Sequence, residues 1–421
     1  MSRTPAMLSS DIRLSDFVSL GNLAKVYPKS AIRAALRKTG REGERERELP
    51  DFITVYYILM LSFFPTAAYK EVLRVLLDGL QWLLGPHVAK VTVTSAVTQA
   101  RQRIGPEPLK ELYDRIVKPI ATDKTRGARY RRWTVHALDG TLVDVPDTKA
   151  NRDFFGKASN QNQADAGYPK LRAVSLVECG THAIHGTELG WLKKRVEQEE
   201  EQPRKGKAGS KNSEDDRHSE RYLASLLLAK FSEGMLVLAD RGFFSFSLWC
   251  RAAETGAALC WRIKDDVHVE IEKRLPDGSN LCVIKRGVKE VQVRLIEYEI
   301  EGSTDVIRLL TNVLEHGDAR AKELALLYHE RWEIETTYRE LKKHLNLSRI
   351  TLRSKTPELV QQEFWGLLLV HYAVRGVMHE AALEADEDPD RISFTHSLNV
   401  IRRHLPRFGS FPPSIDSRSN H

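Results

Sequence analysis

Met235-Leu-Val-Leu-Ala239, running into Asp240-Arg241-Gly242-Phe243, is the stretch that decides the fold. Five consecutive apolar residues are too few for a helix and lack the alternation of a half-wet strand, so they read as a strand covered on both faces. A helical pattern from Glu220 to Phe231 precedes it and another through Trp249 follows, which makes a crossover unit of an α/β sheet. Asp240 stands at the carboxyl end of that strand, where such sheets mount ligands. A carboxylate there also reads as a helix cap ahead of Phe243.

Upstream, Trp133 to Leu138, Thr141 to Val145 and Leu171 to Cys179 are short β-branched runs at period two and predict antiparallel strands. Asp139 ends the first of them, and Asp139-Gly140 reads either as an acid on a strand end or as a hairpin turn. Downstream, residues 258–313 return to strands with turn signals at Pro276-Asp277-Gly278 and Arg286-Gly287, a β-rich insertion within the α/β unit. Helical patterns then run from Asp318 through Leu345, from Pro357 to about Ala385 and from Phe394 to His404, before a loose tail.

The first hundred residues are helical in pattern, from Leu20, from Ser30 to Thr39 and from Asp51 to Phe64. Ser95 to Ile104 and Pro108 to Ile120 continue that pattern up to a basic connector, Lys124 to Arg132. Residues 193–219 are charged and aperiodic and read as a solvated loop. These signals divide the chain into a helical N-terminal part, 1–125, an α/β part, 126–350, and C-terminal helices with the tail, 351–421.

With 421 residues, 42% hydrophobic and 29% charged, the composition is that of a globular protein of two or three domains. The apolar runs Val55 to Phe64 and Leu367 to Val370 fall well short of the roughly 18–20 residues that cross a bilayer. No secretory signal pattern opens the sequence, so a cytoplasmic location without a membrane is expected. Cys179, Cys250, Cys260 and Cys282 have neither disulfide-framework nor zinc-ligand spacing and read as reduced core thiols.

Residues 1–138 carry 23 Lys and Arg against 13 Asp and Glu, while the remainder carries 41 against 44. A basic front on a near-neutral body suits a polyanion such as DNA. Arg33, Arg37, Lys38 and Arg41 cluster at one helix end and are the expected phosphate contacts.

Within the long helical pattern, Arg331, Glu335 and Lys342 stand 3, 7 and 14 residues after Tyr328 and share one face with it. Leu324, Leu327, Trp332 and Leu341 are expected to pack on adjacent faces. Taken singly, Arg331 and Glu335 are an ordinary i,i+4 pair. Taken with Asp139 and Asp240, Glu335 completes three hard oxygen donors suited to two Mg2+ ions flanking a phosphodiester.

Tyr328-x2-Arg331-x3-Glu335-x6-Lys342 resembles the signature of the insertion-element-four family of DDE transposases. Leu138-Asp139-Gly140-Thr141 and Leu238-Ala239-Asp240-Arg241-Gly242-Phe243 resemble the family's two aspartate motifs, and Thr39-Gly40-Arg41 with the helix around Tyr56-Tyr57 resembles its N-terminal domain. The resemblance implies a ribonuclease H-like catalytic domain interrupted by the β-rich insertion, with the helical part before it binding DNA. It implies that Asp139, Asp240 and Glu335 hold two Mg2+ ions, with Mn2+ as substitute. Tyr328, Arg331, Lys342 and Arg241 would then position DNA phosphates.

The implied activity is cutting of an insertion element's ends and joining of the freed 3′ hydroxyls to target DNA, by a protein that pairs with a second copy of itself on DNA. Ile307 and Arg308 precede Leu309-Leu310-Thr311, where some family members carry a base-stacking Trp. Trp261, Trp249 and Phe243 are the aromatic candidates for that role. A DNA-binding derivative that no longer cuts, and a ribonuclease H-like nuclease without strand joining, are the competing readings.

Overall fold

The computed structural model describes residues 23–43, 49–84, 94–157, 167–192, 217–299, 305–345 and 351–403. The start of the helix expected from Leu20, most of the expected 193–219 loop and the tail lie outside them.

After a helical stretch at 23–26 come α1 (Lys29–Lys38), α2 (Asp51–Phe63), α3 (Tyr69–Leu84), α4 (Thr94–Ile104) and α5 (Glu107–Ile116). The strands β1 (Arg129–Tyr130) and β2 (Trp133–Asp144), the helix α6 (Lys149–Phe155) and the hairpin β3 (Lys170–Glu178) and β4 (Ala183–Trp191) follow. Next come α7 (Glu220–Leu227), β5 (Met235–Ala239), α8 (Phe246–Ala253) and β6 (Ala258–Arg262). Four further strands, β7 (Glu270–Arg274), β8 (Asn280–Arg286), β9 (Lys289–Glu299) and β10 (Val306–Thr311), lead to α9 (Ala321–Tyr328), α10 (Glu333–Arg339), α11 (Pro357–Ala385) and α12 (Phe394–Arg403).

The described strands join one mixed sheet in the order β4-β3-β2-β5-β6-β10-β9-β8-β7, with β1 beside β2. β2, β3 and β4 form an antiparallel meander, β5 and β6 add to β2 in parallel, and the remaining strands continue antiparallel. The residues expected as an insertion therefore extend the same sheet. β5 is covered on both sides, as its unbroken apolar run requires. Leu236 and Leu238 enter the core on one face, and Val237 and Ala239 enter the core against α7 and α8 on the other.

The first face is covered by helices from both ends of the chain. In α1, Ile32, Ala35 and Leu36 are buried at helical spacing, whereas α2 is buried all round and forms the centre of this layer. α11 lies so close to α2 that a Cβ on Gly366 would stand 3.1 Å from Ile58 Cγ2. Tyr27 donates to the Leu369 carbonyl at 2.7 Å, and Tyr113 on α5 donates to the Ile184 carbonyl of β4 at 2.7 Å, which ties the layer to the sheet.

A buried charge joins α4 to α11. Arg101 Nε donates to Gln362 Oε1 at 2.8 Å, and Gln362 Nε2 returns bonds to the Arg101 and Gly105 carbonyls at 3.0 and 2.8 Å. Gln362→Leu keeps the volume and strands these partners, so urea unfolding should show a loss of about 2–4 kcal/mol. A change below about 0.5 kcal/mol, the size of a typical surface substitution, would mean that the pair does not hold the two ends together.

Candidate active site

Leu138 of β2 and Ala239 of β5 are direct partners in the parallel ladder, so Asp139 and Asp240 are the next residues on adjacent strands, whose spacing is about 4.8 Å. Val135 and Ala137, like Leu236 and Leu238, face the layer that holds α9 and α10. Period-two alternation turns Asp139 and Asp240 to that same face. Two carboxylates thus emerge side by side beneath a helix.

Asp139 is not in a hairpin turn. β2 runs unbroken through it, pairing Asp139 with Ser175 and Gly140 with Val174. Gly140 lies beside Glu220 instead, whose Oε1 stands 2.9 Å from where a Cβ there would be. Nor does Asp240 cap the following helix, because Ser245 does so by accepting from the Leu248 N–H.

The helix above is uneven. α9 ends at Tyr328, residues 329–332 form a tight 3-10 turn, α10 follows, and Glu340–Leu345 widen into a π-helical turn. Wide turns of this kind occur often at functional sites. Three side chains seat the helix on the strand ends. The Tyr328 hydroxyl lies 3.4 Å from the Ala239 carbonyl, Arg331 Nη1 3.4 Å from Asp139 Oδ2, and the Tyr338 hydroxyl 2.9 Å from the Asp139 carbonyl.

Glu335 lies between Arg331 and Tyr338 on this stripe, four residues after one and three before the other, and its side chain is exposed. Lys342 is half-buried, and burial pushes its ammonium below the ordinary lysine range against the pull of Asp144 and Asp139. Arg241 is exposed beside Asp240. The oxygens of Asp139, Asp240 and Glu335 do not close to within 4.8 Å of one another; among the described residues, His182, Glu333 and Asp390 do. Asp139 and Asp240 thus stand on neighbouring strand ends with Arg331 beside Asp139, and Glu335, one turn further along that helix, does not close on them.

The Asp139 carboxyl is pushed up to about 6, chiefly by burial and further by Asp240 and Glu220, while the Gly140 N–H and Arg331 oppose the rise. Arg331, 12% exposed, is also penalised by burial, but Tyr328, Asp139 and Asp240 outweigh this and hold it above its ordinary value. Sequence reading missed Tyr338 and Glu220. Tyr338 continues the stripe three residues beyond Glu335, a signal that was present, whereas Glu220 reaches the site only through tertiary packing. His136, by contrast, is a core residue bonded to His185 and Thr134 at 2.9 Å each.

A model described as insertion element 4 transposase N-terminal matches residues 17–114, and one described as transposase DDE domain matches 207–372. The transposase InsG of insertion sequence element IS4 from Escherichia coli (strain K12) is 28% identical over 399 residues, 92% of this chain and 83% of that one. The chain belongs to the insertion-element-four family of DDE transposases.

A putative transposase, InsZ, of the same strain is 22% identical over 238 residues, 56% of this chain and 69% of its own. A synaptic complex of piggyBac transposase with hairpin DNA aligns at TM-score 0.47 and 10% identity over 96% of this chain and 82% of that one, a likeness on which nothing here rests. The protein is thus a metal-dependent DNA transposase, and DNA is its partner.

At the front of this transposase each expected phosphate contact faces an acid. Arg33 and Arg37 lie 3.6 and 3.4 Å from Glu42, Lys38 lies 2.8 Å from Glu111, and Arg41 lies 3.4 Å from Glu107. All four remain substantially exposed, and pairs of this kind are weak enough to exchange one anion for another.

The raised Asp139 pKa has a consequence for stability. An unfolded aspartate ionises near pH 4 and the folded one at about 6, so the fold disfavours the charge. The cost is absent below about pH 4, grows between the two values and is complete above about pH 6. Asp139→Asn should therefore stabilise the metal-free protein by on the order of 2–3 kcal/mol at pH 7.5, an advantage that disappears at pH 4. Thermal melts across this range check it, and a destabilised variant at pH 7.5 would contradict it.

Proposed function

We propose that this transposase cuts the ends of an insertion element with Asp139, Asp240 and Glu335, then joins the freed 3′ hydroxyls to target DNA by transesterification. The observation that carries the reading is the register of β2 on β5, which puts two acids side by side under the helix bearing Arg331 and Glu335. An antiparallel three-strand meander extended by two parallel strands, with helices on both faces, supports a ribonuclease H-like catalytic domain. We assign that domain to 126–350, DNA binding to 1–125 and supporting helices to 351–421.

The residues present suit two Mg2+ ions, with Mn2+ as substitute. The donors are all carboxylates, and the Asp139 carboxyl, pushed up by burial and its acidic neighbours, sits where added positive charge is favourable. The bound ions would supply positive charge at the scissile phosphodiester. The protein's own residues then do the positioning. Arg331 offers a planar fork to a phosphate once it leaves Asp139, Lys342 a point charge further along the helix, and exposed Arg241 a third cation at the strand end. Tyr328 is buried with its hydroxyl on the Ala239 carbonyl, so it holds the helix at the strand end and reaches a phosphate only by exchanging that bond.

Trp249, Trp261 and Phe243 lie in the core, which removes them as base-stacking candidates. Trp332, expected to pack, is instead 58% exposed, with the Arg331 guanidinium 5.9 Å from its ring centre, and is the aromatic side chain best exposed to take a displaced base. Cutting two ends together calls for a second copy of the chain on DNA, and the protein would act on the nucleoid in the cytoplasm.

Glu335→Gln removes one donor and leaves the basic front intact. Cleavage of labelled element-end DNA in Mg2+ should fall by about three orders of magnitude or more, the scale of removing a group central to charge stabilisation, with DNA binding unchanged. Nicking at the normal rate would sink the assignment, and cutting by the wild type without joined products would favour a plain nuclease. Arg33→Ala with Arg37→Ala should lower the slope of log affinity against log salt by about 2, since each lost phosphate contact contributes about 0.9. An unchanged slope would return both residues to the solvated surface.

A further inference from the structure

His182, Glu333 and Asp390 come from three separate parts of the chain and meet behind the catalytic helix. His182 lies in the β3 to β4 turn, Glu333 opens α10, and Asp390 sits in the short 3-10 turn Pro389–Arg391 after α11. Their donor atoms all lie within 4.8 Å of one another. His182 Nε2 is 3.1 Å from Asp390 Oδ1 and 3.9 Å from Glu333 Oε2.

The His182 side chain is only 5% exposed, yet its Nε2 makes no hydrogen bond. Asp390 Oδ1 is near enough to accept one and lies out of line for it. Separations of this size, without hydrogen-bond alignment, suit donors directed at one shared cation, since ligands about 2.0–2.2 Å from a metal stand roughly 3–3.5 Å apart.

The surroundings are those of a supported ligand set. The Gly180 N–H donates to Glu333 Oε2 at 2.6 Å and fixes that carboxylate. On the far side of the imidazole, Nδ1 stands 3.3 Å from Glu340 Oε1, and the Arg375 guanidinium lies against Nδ1 while donating to Glu340. Binding a cation through Nε2 requires the ring proton on Nδ1, donated to Glu340 as in many metal-bound histidines, with the guanidinium serving Glu340 alone. Glu330, one turn before Glu333, has a buried Oε2 with no hydrogen-bond partner, and it adds negative charge here together with Asp388. The cation acting on Asp390 is Arg375, whose guanidinium is already engaged by Glu340.

We propose that His182, Glu333 and Asp390 bind one divalent first-row transition cation, with Zn2+ the best fit. One imidazole nitrogen with two carboxylates suits Zn2+, whereas Mg2+ avoids nitrogen donors. The ion would pin the sheet turn, the helix carrying Glu335 and the C-terminal segment to one another, and so act as a positioning site two residues from Glu335. It shares no ligand with Asp139, Asp240 and Glu335.

The test uses the full chain carrying Asp139→Asn, Asp240→Asn and Glu335→Gln, stripped with a chelator and titrated with Zn2+ by calorimetry. One ion per chain with micromolar affinity, not displaced by millimolar Mg2+, is expected. Adding Asp390→Asn should weaken binding at least about tenfold, without lowering the melting temperature in chelator. His182→Gln gives a second loss of binding from a different element. No zinc binding by the parent, or equal affinity in Asp390→Asn, overturns the proposal. Because the two ligand sets share no residue, either result leaves the assignment of the cutting site untouched.

Discussion

The parallel pairing of Leu138 with Ala239 is the constraint on which the site depends. A shift of one residue in that ladder would turn Asp139 away from Asp240 and toward the core under α7 and α8. The register is held by burial on both faces: Leu236 and Leu238 are fixed against one layer, Val237 and Ala239 against the other. The apolar sequence of β5 therefore does more than make a strand, because it determines which acids become neighbours.

The helix above needs separate support, since its own geometry changes three times between residues 321 and 345. Tyr328, Arg331 and Tyr338 seat it on the strand ends, and Glu340, in the wide turn, meets Arg375 Nε at 3.0 Å and His371 at 2.9 Å on α11. α11 in turn is locked to the N-terminal helices through Arg101 and Gln362. The two ends of the chain thus form one scaffold that positions the helix from behind. Glu335, Trp332 and Arg241 stay exposed.

Much of this was legible because it depends on local pattern. β5 announced itself by an apolar run, the helix by its periodicity, and the family by residues at fixed offsets on that helix. Features that depend on distant partners were not legible. Asp139-Gly140 looked like a turn, yet β2 runs unbroken through it, held by pairing with Ser175 and Val174 more than thirty residues away. Trp332 looked like a packing residue because it is a large apolar side chain within a helical pattern, yet it stands 58% exposed at the end of the tight turn 329–332. The basic front was plain in the sequence, but the pairing of Lys38 with Glu111 and Arg41 with Glu107 was not. His182, Glu333 and Asp390 have no motif spacing at all, and only the fold brings them together.

We propose that the strand register and the seated helix together deliver three carboxylates to one cutting centre. A crystal structure of the protein with element-end DNA and Mn2+, read by anomalous scattering, tests it most directly. Manganese is expected between Asp139 and Asp240, with Glu335 drawn in to coordinate and Arg331 moved from Asp139 to a phosphate. Manganese bound at the DNA with Glu335 or Asp139 outside its coordination sphere would contradict it.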